Sequence, residues 1–523
     1  MPSSRRAAAL SPRAAELDEA RSALDAGEFE RVLRLLGGAK SERREDRVAS
    51  AVLQSRALLA LGRHEQALPL LQRASKEVKG VEETALTQML QGAALTLAGR
   101  RDQGEALLDE TATLAKRGAP QLAAEVAYYR ALSRWSSHRL AEAEEIVEAA
   151  LPASKDVHRA RLLQLLGWID VRSENYSGAA RQFTAALDEL NRAKHPDVLG
   201  RARLLNAIGI IAAETIDLRL GRLVRREYDT NTWSDDTRLY RYHTLQSLAW
   251  LSLLEGQVGR AWDERQGALS LTIDTAYHAS ALTSAGNIAG FVGDRFSETR
   301  YFELAAALLL RGDQLGLDVD RRIAMLTFVA AARAANADSA RKVLTLYERT
   351  RPRKTDVLAL EGDRRMEALE LHARGKLAIA EGRTQPGIAE LEKALALFTQ
   401  LGYRLRTALT ADALRSVTTN PRYAGIALEA LRNAPNAWLR PELERETSDD
   451  NPLARLTPAE RRVLTELCKG KKAREIATTF DRSFNTINNH TRAIFTAFGV
   501  RSRASLVADC ARRGILDEIA SAR

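Results

Sequence analysis

The sequence predicts an all-α protein in two unequal parts: a long solenoid of helical hairpins and a small four-helix domain at the C-terminal end. Three observations carry this. Ala, Leu, Arg and Glu dominate while aromatic residues make up only 5%, a composition that favours helices. A helix–turn–helix phrase recurs, with turn glycines Gly27, Gly62 and Gly99 spaced 35 and 37 residues apart, and Gly256 and Gly293 again 37 apart. A period in this range marks stacked helical repeats. From Leu456 onward the chain changes to short, separately capped helices built around one polar helix.

Composition bounds the class. The chain has 523 residues, 45% apolar and 28% charged, ordinary values for a globular protein. Its two cysteines, Cys468 and Cys510, form neither a disulfide framework nor a metal-binding spacing, so the expectation is a reducing cytoplasm with no metal and no cofactor. No apolar run approaches the roughly 18 residues needed to span a bilayer. Residues 1–13 contain Arg5 and Arg6 but only a short apolar patch, too short for a secretory core. They read as a disordered basic tail. Gly37-Gly38-Ala39-Lys40-Ser41 lacks the spacing and the preceding strand of a phosphate-binding loop. No Ser/His/Asp, Cys/His or paired-carboxylate arrangement stands out, and no enzyme activity is expected.

Residues 14–431 form the repeat region. Its clearest unit runs from Ala57 to Leu71: a helix, a turn at Gly62, and a second helix whose Ala67 lets the two pack closely. The phrase recurs at Ala26-Gly27-Glu28-Phe29 and Ala98-Gly99-Arg100-Arg101. Weaker copies lie at Ser173–Tyr176, Glu255–Gln257, Val292–Asp294 and Glu381–Arg383. Together they imply ten or eleven pairs. The pattern resembles the tetratricopeptide repeat, with spacers longer than its usual ~34 residues. The stretch from Arg219 to Tyr242 breaks the rhythm and suggests an inserted loop. No pair can bury its own apolar face, so stability comes from stacking on neighbours. Stacking with a small twist makes a concave surface lined by the first helix of each pair. That surface is expected to take a protein or peptide partner, with Arg161, Asn206, His243, Gln246 and Asn287 as candidate inner residues. Residues 432–455 carry Pro435, Pro441 and Pro452 and an acidic run, which favours an extended, flexible linker.

Residues 456–523 form the last domain. Thr457 caps the first helix, Pro458 fits its first position, and Glu460 closes a capping box. Leu456, Val463, Leu464 and Leu467 share one face, and Gly470 ends the helix. A short second helix turns Ile476, Ala477 and Phe480 inward. Ser483 caps a third, with Ile487, Ile494, Phe495 and Phe498 as its apolar stripe. The opposite side carries Asn485, Asn488, Asn489, Arg492 and Thr496. Gly499 ends this helix, and Ser502 caps a fourth, from which Leu506 and Val507 pack back. Asn is a mediocre helix former, yet it can pair with an adenine edge in the major groove, as Arg can with guanine. From Leu456 on there are thirteen Lys and Arg against seven Asp and Glu, a net of +6 out of +10 for the whole chain. Such a basic concentration suits double-stranded DNA.

Leu456-Thr457, Glu460, Val463-Leu464, Gly470, Glu475-Ile476-Ala477, Ser483, Thr486-Ile487, His490, Ile494, Gly499-Val500 and Ser502-Arg503 resemble the LuxR-type (GerE-like) helix-turn-helix signature at continuous spacing. The resemblance implies a DNA-binding transcriptional regulator. It implies base-edge roles for Asn488, Asn489 and Arg492, with Asn485 on the same face. It also implies phosphate roles among Lys471, Lys472, Ser483, Thr486 and Arg501, and a homodimer formed through the fourth helix; Arg482, in the turn beside them, is a further candidate phosphate contact. The chain departs from the family at Arg482, where an apolar residue is usual. It departs again at Lys472 and Ala473, where a Ser or Thr cap and an Asn are common, and at Asn488, often Lys. A looser turn and second-helix start are therefore expected. The competing expectation is a repeat-based adaptor whose helix-turn-helix module binds no DNA.

Overall fold

The computed structural model describes residues 12–38, 43–193, 197–271, 275–311, 319–332, 336–349, 364–418, 420–447, 452–453, 455–512 and 515–516. Residues 1–11, expected as a tail, lie outside these. Among the described residues there is no strand, and eleven helix pairs precede the C-terminal domain. Pairs one to four are α1 (Pro12–Asp25) with α2 (Phe29–Leu36), α3 (Arg44–Ala60) with α4 (His64–Ala74), α5 (Val81–Leu97) with α6 (Arg101–Gly118), and α7 (Ala123–Ser136) with α8 (Leu140–Ala150). Pairs five to eight are α9 (Asp156–Arg172) with α10 (Tyr176–Arg192), α11 (Val198–Thr215) with α12 (Leu218–Thr230), α13 (Arg238–Leu254) with α14 (Val258–Ser270), and α15 (Thr275–Phe291) with α16 (Arg295–Leu310). The last three are α17 (Val319–Ala330) with α18 (Ala337–Arg349), α19 (Arg364–Ala380) with α20 (Thr384–Gln400), and α21 (Arg404–Thr418) with α22 (Arg422–Ala430). A single helix, α23 (Arg440–Thr447), closes the repeats.

The hairpins share one turn geometry. Arg63 N–H donates to Leu58 O at 2.8 Å and Gly62 N–H to Leu59 O at 3.2 Å, which requires a left-handed residue between the two helices. Gly27, Gly62, Gly99, Gly256, Gly293 and Gly382 take that place, with φ between 74 and 85°. His138, Glu174 and Ile216 take it in three further turns, at φ 57 to 61°. Seven residues before the turn, a small side chain lets the helices touch. A Cβ on Gly167 would lie 2.5 Å from the Phe183 ring, and one on Gly375 2.8 Å from Leu391.

The solenoid coils tightly enough for successive superhelical turns to meet. Arg364 pairs with Glu174 at 2.9 Å and Arg406 with Glu214 at 2.9 Å, across 190 and 192 residues. That is about five times the 37-residue repeat, so one superhelical turn takes about five pairs. Tyr176 and Tyr403 stack with ring centroids 4.9 Å apart, Trp438 N–H donates to Leu253 O at 3.2 Å, and Leu199 joins the apolar core of the first three helices.

Two expectations are corrected here. The stretch from Arg219 to Tyr242 is mostly α12 and the start of α13, joined by a short 3₁₀ turn at Asp235–Thr237; it is the junction between pairs six and seven, not an inserted loop. Residues 432–447 are not an extended linker. Leu439 and Leu443 are buried in the main repeat core. Arg415 grips α23 through Glu442 at 2.6 Å and through Glu446, while also holding Asp412 at 2.8 Å. Of the acidic run, Glu446 is thus held by Arg415 and Glu444 by Arg440 at 2.6 Å; Asp449 and Asp450 lie outside the described residues.

Candidate nucleic-acid interface

Four helices make the C-terminal domain: α24 (Pro458–Cys468), α25 (Ala473–Phe480), α26 (Phe484–Phe498) and α27 (Arg503–Arg512). Thr457 closes the first as the capping box requires: Glu460 N–H donates to Thr457 Oγ1 at 3.3 Å, and Thr457 N–H donates to the Glu460 carboxylate at 2.8 Å. Leu456, Val463, Leu464, Leu467, Ile476, Ile487, Ile494, Phe498, Leu506 and Cys510 form one core. Arg503 ties α27 to the end of α24 through Leu467 O at 3.1 Å. Ser483 Oγ accepts from Thr486 N–H at 3.1 Å and so starts α26. Gly499, at φ 66°, ends it.

One side of α26 is spent on that core. The other carries Asn485, Asn488, Asn489 and Arg492, which share a helix face. Asn485, Asn489 and Arg492 are exposed and Asn488 half-buried. Among the described residues none of these four side chains has a hydrogen-bond partner or ion pair. Their amide and guanidinium groups are therefore available to a ligand outside the chain. Around them the expected phosphate-contacting residues divide. Lys472, Arg482 and Arg501 are exposed. Lys471 is held by the Glu466 carboxylate at 2.6 Å, which Lys469 also reaches at 2.8 Å. These two ammonium groups hold the Glu466 carboxyl below the usual range. The Ser483 and Thr486 hydroxyls face each other at 2.8 Å in the cap.

The capped scaffold, the unspent polar face and the basic rim coincide with a family match. Residues 454–508 match GerE, the luxR family of bacterial regulatory proteins. This segment is a GerE domain. Comparison with curated proteins gives no match. Among solved structures, the chain is similar to the apo form of RapI at 11% identity and TM-score 0.41, covering 76% of this chain and 98% of that one. It is similar to the APC/C hetero-tetramer Cut9–Hcn1 at 13% and 0.42, covering 95% and 89%. A third is the apo form of the quorum sensor NprR from B. thuringiensis, at 14% and 0.32, covering 77% and 97%. Scores this low fix no common superposition; the tetratricopeptide-like architecture rests on the helix pairing itself.

Within the GerE domain the expected looseness before α25 is not what the chain does. Glu475 accepts the Lys472 N–H at 2.7 Å, so the carboxylate half of a capping box replaces the missing hydroxyl. Asp481, left-handed at φ 50°, makes the turn, and Arg482 N–H closes it on Ala477 O at 3.0 Å. His490 lies 3.8 Å from Glu460. Two residues escaped the sequence reading. Phe484 is 45% exposed at the start of α26, with the Arg474 guanidinium 5.8 Å from its ring. A signal was present: an aromatic residue stands at the first, solvent-facing position of a polar helix.

The repeat residues expected on the inner surface also fall into register. Counted back from each left-handed turn residue, Arg161 and His243 stand at −13, Asn206 and Gln246 at −10, and Asn287 at −6. All lie on first helices and are half-buried. Contacts that skip a pair show these faces looking into a common channel: Arg56 on α3 holds Glu125 on α7 through two bonds of 2.7 Å. Asn206 Oδ1 and Gln246 Nε2 are buried without a partner. No helix among the described residues is long and apolar enough to cross a membrane.

Proposed function

We propose that this protein is a cytoplasmic, sequence-specific DNA-binding transcriptional regulator whose helical-repeat region takes a protein or peptide partner. The outward face of α26 carries the reading. A helix built only to face water gains nothing from three Asn residues, whereas amide and guanidinium groups free of internal bonds suit adenine and guanine edges. Lys472, Arg482 and Arg501 supply the phosphate contacts that set affinity and register, with the Ser483–Thr486 cap presenting the helix N-terminus beside them. Two domains pair through α27, whose outward side carries Ala504, Ser505 and Ala508.

Two measurements test this. If two heads each neutralise about four phosphates, log K falls with log salt at a slope of about −7. On a duplex selected by the intact protein from a random pool, Asn488→Ala and Arg492→Ala each cost roughly 1–3 kcal/mol and relax base preference. Arg501→Ala weakens all sequences alike and reduces the salt slope by about one. A slope near zero, or unchanged selectivity in both α26 variants, contradicts the assignment.

A further inference from the structure

The channel of the first superhelical turn contains a charge imbalance that the fold itself does not need. Arg203 on α11 stands thirteen residues before Ile216, the same position as Arg161 and His243. Its Nε donates to the Tyr240 hydroxyl at 3.1 Å, and its guanidinium lies 5.6 Å from that ring. Among the described residues it has no carboxylate partner. The nearby acids are already engaged. Glu125, with 4% of its side chain exposed, is held by Arg56. Asp197 binds Arg161 at 3.2 Å and caps α11 through Gly200 N–H at 2.8 Å. Three guanidiniums thus share two carboxylates.

Two imidazoles lie near these guanidiniums, His64 by Arg203 and His158 by Arg161 and Arg56, each with Nδ1 buried and unpartnered. Burial holds both below the ordinary imidazole value, helped by the Arg203 guanidinium beside His64 and by those of Arg161 and Arg56 beside His158, where the Arg56-held Glu125 carboxylate opposes it. Their acidic neighbours Glu65 and Asp156 are exposed at the rim. The imidazoles therefore add hydrogen-bonding groups but no charge at neutral pH.

We propose that the first-turn channel binds a carboxylate on Arg203, beside Tyr240 and with the unpartnered imidazole of His64 nearby. A guanidinium with free Nη groups is shaped for two parallel bonds to a carboxylate. Buried charges persist when something neutralises them. One missing negative charge matches a monoanion, not a phosphate dianion. The unpartnered Asn206 Oδ1 on the same helix as Arg203 and Gln246 Nε2 one repeat further on offer an acceptor and a donor to the rest of the molecule, which fits a peptide carrying the carboxylate at its terminus. A free organic acid shares the chemistry. This inference deepens the partner half of the proposed function and is independent of its DNA half.

The test is the melting temperature of the full chain with four probes: heptapeptide pools lacking Asp and Glu, with free or with amidated C-termini, hexanoate, and inorganic phosphate. The free-acid pool is expected to raise the melting temperature more than the amidated pool. In Arg203→Gln the affinity for it falls about ten- to a hundredfold. Without probe, Arg203→Gln melts no lower than the parent, since it removes an unneutralised charge; Tyr240→Phe, which keeps the charge, serves as the second variant and retains most of the response. A response to hexanoate equal to that of the free-acid pool assigns the site to a free acid. Equal responses to free and amidated pools leave a peptide-binding repeat region but overturn the carboxylate site. So does a response to phosphate alone, or one that survives in Arg203→Gln. No response to any probe overturns both the site and the peptide reading, while duplex binding is measured separately.

Discussion

At the scale of the residue, burial decides which groups are held in an unusual state. His372 on α19 bonds Thr410 Oγ1 at 2.9 Å. Burial first, and then Lys376 and Arg406, push its imidazole down to about 3 from 6.5. The folded chain therefore keeps it neutral while the unfolded chain protonates. Stability is undiminished above about pH 6.5 and falls by about 1.4 kcal/mol for each pH unit below it, until the folded group itself titrates. Urea melts of His372→Gln at pH 7, 6 and 5 are expected to show a correspondingly shallower loss; an unchanged slope contradicts the buried neutral state. Nothing in the sequence singled out this histidine, because its neighbours in space come from α21. The α26 face, by contrast, was legible, since helical period alone gathers Asn485, Asn488, Asn489 and Arg492. Lys471 shows the limit of that reading: its ion pair with Glu466 depends on the chain folding back at Gly470.

At the scale of the element, the hairpin turn is the repeating requirement. Gly62 sits at φ 76°, and a Cβ there would meet nothing within 4 Å. Gly62→Ala should therefore carry backbone strain alone and cost about 1–2 kcal/mol, read as a drop in urea midpoint. A neutral result would mean that the turn relaxes. This is also why the repeat could be read where it was. Glycine marks the left-handed residue at Gly27, Gly62, Gly99, Gly256, Gly293 and Gly382. The same geometry passes unseen at His138 and Ile216, where the surrounding hydrogen bonds impose it on side chains that give no warning. The supposed loop near residue 230 arose from that blind spot, because pair six turns on Ile216. Likewise, prolines 435 and 441 suggested a connector, but the apolar spacing of Leu439, just before α23, and Leu443 within it reports a packed helix.

At the scale of the whole molecule, contacts between superhelical turns set it apart from an open array in which each repeat touches only its neighbours. Trp438 fastens one turn to the next: its ring centroid lies 6.0 Å from that of Trp250 and 5.2 Å from that of Phe291. Trp438→Ala is expected to cost about 2–3 kcal/mol and to broaden or split the urea transition followed by far-UV circular dichroism, as the two turns uncouple. A sharp, unshifted transition contradicts that coupling. No local pattern encodes pairings 190 residues apart; they follow from the accumulated twist of five hairpins, which is why the coil's closure was invisible in the sequence. The grip of Arg415 on α23 has a last consequence. It leaves eight residues, 448–455, between the repeat body and Leu456, and Leu453 among them already packs on the core of the C-terminal domain; even fully extended, this connection spans at most about 30 Å. That is shorter than one winding of B-form DNA, about 34–36 Å. With the head on DNA as proposed, the bulk of the protein must ride beside it, casting a shadow over neighbouring base pairs that a head of this size could not cast by itself.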